Sequence, residues 1–376
     1  MQAFFRIERS KMLKRLYIHN YKAFQNFEIK FDDLDSMLCL GKNGAGKSSL
    51  VEVFHIFQKI GEGKSQLSDL IDKSCFNFIK NDLPMQLELE VELQNEQIKY
   101  LLLLDFPNDF NACRVIKEQL TVNDIHILDR ENGEVSYKTK NNQEIADFFL
   151  DWHIFALPIF KPRKQELISI QNFKNWLANI IVISPIPALM ANYQNEQLAL
   201  KPNYFSDNLN SWITKLFSEK PRSYQYIYEY LNLVFPDLEE IDNSEEQLSF
   251  KFKGNGEGNL KLSQLSYGER IFVLWSAILA SVKLGLISVC VWDEPENYIS
   301  LLEIQFYFNT LKQNFDNKAL FIATSHNPET IRMFPTDDIF ILSRKNHFEP
   351  VRLQFISELG IKNDIVDLIN AGLVEL

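Results

Sequence analysis

An apolar run, Met37-Leu38-Cys39-Leu40, leads straight into Gly41-Lys42-Asn43-Gly44-Ala45-Gly46-Lys47-Ser48. The G-x-x-x-x-G-K-S spacing demands a buried strand, a glycine-rich turn and a helix in succession. The turn wraps phosphate oxygens with backbone N–H groups, and the helix points its positive end at them. Gly41, Lys42, Asn43, Gly44, Ala45, Gly46, Lys47, Ser48 and Ser49 are therefore the expected nucleotide-binding set. Lys47 reaches the outer phosphates and the Ser48 hydroxyl is a ligand for Mg²⁺. Apolar spacing at Leu50, Val51, Val53, Phe54 and Phe57 predicts a helix from Ser48 to Ile60, stopped at Gly61-Glu62-Gly63.

Far downstream, Leu286-Ile287-Ser288-Val289-Cys290-Val291-Trp292 ends in Asp293-Glu294-Pro295-Glu296. An apolar run of this length between Gly285 and Pro295 reads as a buried parallel strand, whose C-terminal end is where α/β sheets bind ligands. Behind a P-loop, Asp293 reads as a Mg²⁺ ligand, direct or through water, and Glu294 as the group that orients or deprotonates the attacking water. Ser266 with Glu269 forms a capping box at the start of an almost wholly apolar segment, Ile271 to Leu279. With Gly268 for close approach, that helix start is also an anion site. A further apolar run, Ala319 to Ala323, leads through Thr324-Ser325 to His326.

Taken in this order, the motifs resemble an ABC-type ATPase of the RecF/SMC/OLD-like group, the compact AAA-labelled prokaryotic branch. The resemblance covers most of the chain. It implies an α/β fold: a P-loop ABC-type ATPase head with a mixed sheet and flanking helices, an antiparallel β subdomain and a helical insert. It also implies ATP with Mg²⁺ as ligands, Ser266 and Gly268 as the signature that caps a partner subunit's nucleotide, and His326 as the switch histidine at the γ-phosphate. Pro295 to Ser300 stands where the D-loop crosses the dimer interface, and Leu16 to Phe24 with Phe27 to Phe31 is similar to the group's opening strand pair. Departures are Tyr267 in place of a second signature glycine, the sequence after Asp293-Glu294-Pro295-Glu296, and Ser325-His326 where His-Ser is commoner. Lys22 is either a nucleotide neighbour or an exposed hairpin lysine, and Gln86 either a Q-loop glutamine or a surface strand residue.

With 376 residues the chain can bury a sizeable core. Hydrophobic residues at 46% against 24% charged exclude a disordered chain. No apolar run approaches the ~20 residues that span a bilayer, and the start lacks a signal-peptide layout, so a cytoplasmic location and no membrane partner are expected. Cys39, Cys75, Cys113 and Cys290 show no C-x-x-C spacing and read as core thiols, not a zinc site. A net charge of −11 argues against a surface built to wrap nucleic acid. A nucleic-acid partner stays open but without support, since the basic cluster Lys161-Pro162-Arg163-Lys164 has no aromatic platform in step with it.

The expected organisation is an N-terminal ATPase lobe over 1–142 with the P-loop and antiparallel strands, a helical insert over 143–240, and a C-terminal lobe over 241–376 with signature, acidic strand end and histidine. Leu87, Leu89, Val91 and Leu93 alternate with polar residues into a turn at Asn95-Glu96, and Asn132-Gly133 marks another hairpin. The insert lacks the sustained heptads of SMC arms. Past His326 the residues are too few for a second catalytic domain; Asp337-Asp338, and His347 near Arg344, read as polar turns. The resemblance extends to ATPase subunits of phage-defence systems such as Septu, PARIS and retron-associated modules. It implies a homodimer or higher homo-oligomer that controls a separate nuclease or toxin. The alternative is a RecF-like DNA repair or maintenance ATPase.

Overall fold

The computed structural model describes residues 11–31, 34–77, 83–107, 112–141, 143–161, 168–191, 200–243, 247–254, 259–315, 318–360 and 365–370. Pro162, Arg163 and Lys164 of the basic cluster lie outside them. Two compact units emerge, one of Met1–Leu34, Cys39–Ile180 and Thr336–Leu376, the other of Asp35–Leu38 and Ile181–Pro335.

Period-two patterning builds most of the first unit. β1 (Lys11–His19) and β2 (Phe27–Lys30) form the opening hairpin, and the wholly buried β3 (Ser36–Leu40) runs into the P-loop and α1 (Lys47–Gly61). There follow β4 (Met85–Leu93), β5 (Glu96–Asp105), β6 (Arg114–Val122), β7 (Ile125–Glu131), β8 (Glu134–Lys138) and β9 (Glu144–Phe149). With β1 and β2 they make an antiparallel sheet in the order β2-β1-β4-β5-β6-β7-β8-β9. Its tight turns use paired left-handed residues: Gln94-Asn95 at φ 53° and 64°, Asn123-Asp124 at 48° and 66°, and Asn132-Gly133 at 50° and 93°. Such turns match the right-handed twist of the strands they join. β9 carries the sheet past residue 142, so the helical spacing read from Gln143 onward starts only at α2 (Ala156–Ile159) and α3 (Ile168–Ala178).

The buried face of this sheet meets α1 and α3 through rings: Phe57 lies 6.3 Å and Phe173 5.6 Å from Tyr100. Gly61 permits the contact, since a Cβ there would sit 2.5 Å from Leu177 Cβ. Glu118, fully buried on β6, accepts hydrogen bonds from Tyr100 Oη (2.8 Å) and from the N–H groups of Ala156 (2.7 Å) and Leu157 (2.8 Å). Its charge partner is the equally buried Arg130 at 3.6 Å. This pair locks the start of α2 onto the sheet.

The second unit takes β10 (Ile180–Ile183), α4 (Leu209–Glu219), α5 (Arg222–Val234), β11 (Leu238–Asp242), β12 (Ser249–Phe252) and β13 (Leu260–Lys261). It continues with α6 (Tyr267–Lys283), β14 (Val289–Asp293), α7 (Leu301–Phe315) and β15 (Leu320–Ser325). β10 and β11 are strands inside the segment read as helical. β14 and β15 pair in parallel, with Asp293 opposite Thr324. An aromatic cluster fixes α6 on them: Trp275 lies 5.4 Å from Trp292, 4.0 Å from Tyr307 and 5.6 Å from Phe321. The chain then returns to the first unit with β16 (Ile339–Ser343), β17 (Arg352–Phe355) and α8 (Ile365–Asn370). The sequence suggests one strand after His326; the antiparallel partner β17 is the second. The longest helix among the described residues is α6, at 17 residues, so no long coiled coil is present there. None of the described helices is long and apolar enough to cross a membrane.

Candidate functional site

In the first unit the glycine-rich loop has the backbone its sequence demands. Gly44 and Gly46 take φ values of 80° and 110°, which L side chains adopt only with strain. Gly46 is the N-cap of α1, and no acidic residue occupies the first turn, so the helix start keeps its positive character. Lys47 is buried, its ammonium donating to the carbonyls of Gly41 (2.7 Å) and Lys42 (3.3 Å) across the loop. Lys42, Asn43, Gly44 and Ser48 are exposed, Ser49 half-buried and Ala45 buried. Nearby in sequence, Lys22 is paired with Glu52 of α1, which also accepts from Tyr21 Oη at 2.8 Å. Burial beside that carboxylate pushes the Tyr21 phenol well up. Gln86 lies within β4, donating to Glu88.

The second unit brings three predicted residues together. Asp293 ends β14 and Glu294 follows with φ 53°, a strained value for a non-glycine residue of the kind that collects at functional sites. Thr324, opposite on β15, serves both acids: its hydroxyl donates to Asp293 Oδ1 and accepts from the Glu294 N–H at 3.1 Å. His326 Nδ1 meets Glu294 Oε1 at 2.9 Å, and Asn297 Nδ2 donates to Glu294 Oε2 at 3.0 Å. A carboxylate held at both of its oxygens can accept a proton only along a restricted line.

Ser325 and Glu296 form a buried pair behind this row. The Ser325 hydroxyl bonds Glu296 Oε1 and accepts from the Asn327 N–H at 2.9 Å. Among the described residues Glu296 Oε2 has no hydrogen-bond partner, and burial raises the Glu296 carboxyl above the ordinary range against the opposing bond from Ser325. The link ties the turn after β14 to the turn that carries His326. Sequence reading passed over Thr324, Asn297 and Glu296 as functional side chains. The hydroxyl next to Ser325-His326 was the available signal for the first.

Ser266 is the N-cap of α6, with a reciprocal box: its Oγ accepts from the Glu269 N–H (3.3 Å) and its N–H donates to Glu269 Oε2 (2.6 Å). Gly268 lets the backbone of the 295–300 stretch approach, since a Cβ there would lie 3.1 Å from Tyr298 O. Tyr267 and Tyr298 are exposed and pack edge to face at 6.1 Å. Arg270 pins the approach to the helix, donating to the carbonyls of Leu265 (3.0 Å), Pro187 (2.8 Å) and Ser263 (2.6 Å).

The donor chemistry suits the expected ligands. A hydroxyl and a carboxylate are hard oxygen donors of the kind Mg²⁺ takes alongside phosphate oxygens, and the left-handed glycines with a buried lysine suit a polyphosphate.

Residues 40–332 match a family described as "AAA domain, putative AbiEii toxin, Type IV TA system". Comparison with curated proteins finds no match. Among solved structures, the chain is similar to an SMC head bound to the C-winged helix domain of ScpA, at 13% identity and a TM-score of 0.54, covering 93% of this chain and 99% of that one. It is also similar to an SMC head domain with an extended coiled coil bound to the C-terminal domain of ScpA, derived from Pyrococcus furiosus. There the identity is 10% and the TM-score 0.54, over 96% of this chain and 100% of the other. Identities this low speak for the fold, and the family match spans well over half of the chain. The chain belongs to this AAA family of nucleotide-binding P-loop ATPases, and its fold is that of the SMC heads.

Proposed function

We propose that the chain hydrolyses ATP in composite sites shared by two copies, and that closure of the pair is the switch of an anti-phage defence module with a separate nuclease or toxin as effector. The observation that carries the hydrolytic part is the 2.9 Å contact between His326 Nδ1 and Glu294 Oε1. In this reading Gly41 to Ser49 cradle the phosphates, with Lys47 on the outer ones. Glu294 accepts the proton of the attacking water, and His326 holds that carboxylate in line while facing the γ-phosphate. Ser48 and Asp293 would hold Mg²⁺, which when bound neutralises charge on the phosphate oxygens. Ser266 and Gly268 of the second copy close the site.

Because each site then needs both copies, ATP favours the closed pair and hydrolysis releases it, a switch by differential binding. The family's description, which names a toxin and a Type IV TA system, supports an effector-linked role. The similar SMC heads are described in complex with a second protein, which supports a partnered ATPase over a solitary one. Net charge of −11 weighs against DNA as the main partner.

Glu294→Gln should trap ATP in a closed pair, seen as an ATP-dependent shift in size-exclusion; unchanged hydrolysis in that variant would remove the catalytic assignment. Ser266→Arg should prevent pairing while the separate copies still bind ATP. Co-purification with the product of the neighbouring gene, with and without ATP, tests the effector link.

A further inference from the structure

The hairpin of β16 and β17 supplies the surroundings of the P-loop glycines within the first unit. A Cβ on Gly41 would lie 2.5 Å from Leu342 O, and one on Gly46 would lie 3.0 Å from a Val351 methyl. At the tip of the loop, a Cβ on Gly44 would lie 3.7 Å from Nη2 of Arg344. The strands thus floor the loop and their turn carries a guanidinium beside its exposed tip. The far end of the turn is anchored, since the Val351 N–H donates to Ala23 O at 3.0 Å.

The partners of that guanidinium are as informative as its place. Arg15, Arg114, Arg130 and Arg332 each lie within 4 Å of a carboxylate, and Arg270 is satisfied by three carbonyls, while Arg222 and Arg352, like Arg344, have no ion pair among the described residues. Arg344 has no such partner among the described residues; its guanidinium makes a long hydrogen bond, 3.4 Å, from Nη1 to His347 O. It sits half-buried beside Gly44, in the same loop whose Lys47 ammonium is buried and which leads into α1. Positive groups gathered without a carboxylate repel one another unless an anion joins them. A planar guanidinium with forked donors matches phosphate in both geometry and charge.

We propose that Arg344 is a nucleotide-binding residue, whose guanidinium docks from the β16–β17 turn onto the polyphosphate held by Gly41 to Ser48. The inference rests on the P-loop reading and adds a contact from a part of the chain outside the family's motifs. It assigns the ligand chemistry as nucleoside di- or triphosphate, with the nucleoside itself contributing nothing to this contact.

The test is titration calorimetry on the full chain with ATP, ADP and inorganic pyrophosphate, using wild type, Arg344→Ala, Arg344→Lys and Lys47→Ala, each checked for an unchanged melting midpoint without ligand. Arg344→Ala should weaken ATP and ADP by about tenfold or more, and pyrophosphate likewise, with Arg344→Lys recovering part of the loss. If Arg344→Ala binds all three within twofold of wild type while Lys47→Ala has lost them, the proposal falls and the P-loop reading stands. If the wild type binds none of them, both fall together. If Arg344→Ala loses affinity only through a lowered melting midpoint, and Arg344→Lys melts normally yet binds no better than the alanine variant, a phosphate contact is again contradicted.

Discussion

His326 and Glu294, from the turns after two adjacent parallel strands, meet at 2.9 Å between Nδ1 and Oε1. In the proposed mechanism the contact fixes the direction from which the carboxylate takes a proton, while the glycine loop, elsewhere, would grip the nucleotide. His326→Ala should therefore lower kcat by about a hundredfold and leave the KM for ATP within about twofold. Steady-state phosphate release checks this, and a KM that rises in step with the loss of kcat would count against it.

Thr324 has one hydroxyl and uses it twice, as donor to Asp293 and as acceptor from the Glu294 N–H. If Asp293 holds Mg²⁺ as proposed, Thr324→Ala should cost about ten- to a hundredfold in hydrolysis and raise the Mg²⁺ concentration for half-maximal rate, as loss of a group orienting a metal ligand does. Thr324→Ser keeps the hydroxyl and should recover most of the activity. Equal rates and equal Mg²⁺ dependence in the alanine variant would show that the acids need no such support.

Glu296 gives a pH test with a defined sign. Burial raises its folded-state pKa above the ordinary carboxylate value. Over the interval between the two, the folded chain keeps a proton that the unfolded chain has released. The stability this residue contributes is full at acid pH and lost as pH climbs from the ordinary carboxylate range through the folded pKa. Glu296→Gln should melt with wild type near about pH 4 and above it at about pH 8. A difference in melting temperature that does not change with pH would refute the assignment.

Glu118 and Arg130 are both fully buried, and burial lowers the Arg130 pKa. Truncating the acid leaves that guanidinium without its carboxylate and strands Tyr100 Oη and two backbone N–H groups of α2. Glu118→Ala should destabilise the protein by about 3 kcal/mol or more, and Glu118→Gln by less, because the amide oxygen still accepts. Urea denaturation measures both through the shift in midpoint.

Much of this architecture is legible in the sequence, for physical reasons that differ by element. The P-loop was legible because its chemistry dictates its backbone: Gly44 and Gly46 hold φ values that other residues resist. β4 and β5 were legible because one buried face enforces alternation, and the Asn132-Gly133 turn because its left-handed pair selects those residue types. The turn at Asn123-Asp124 makes the same geometry without a glycine and gave no comparable signal. Ile180–Ile183 is uniformly apolar, and a short run of that kind does not separate strand from buried helix. Arg352–Phe355 has no buried residue and so no face to read.

Within the candidate site the divide is similar. Asp293, Glu294 and His326 stand out in the sequence because each sits at or just past the end of an apolar run. Thr324 owes its role to a cross-strand register with Asp293, and Glu296 to burial against Ser325. Neither is a property of local sequence. Arg344 comes beside Gly44 only because a hairpin some three hundred residues later folds back under the loop, by count along the chain.

Chain order gives that hairpin a further meaning, one of timing. The ribosome makes Gly41 to Ser48 early, yet Leu342 and Val351, which pack against Gly41 and Gly46, are made close to three hundred residues afterwards. Until they emerge the loop lacks its floor. A growing chain should retain labelled ATP only after Val351 has cleared the exit tunnel, and retention by stalled chains ending before Leu342 would contradict that order. On the proposed reading, nucleotide capture would then double as a report that synthesis has reached this point, keeping half-made copies out of the switch.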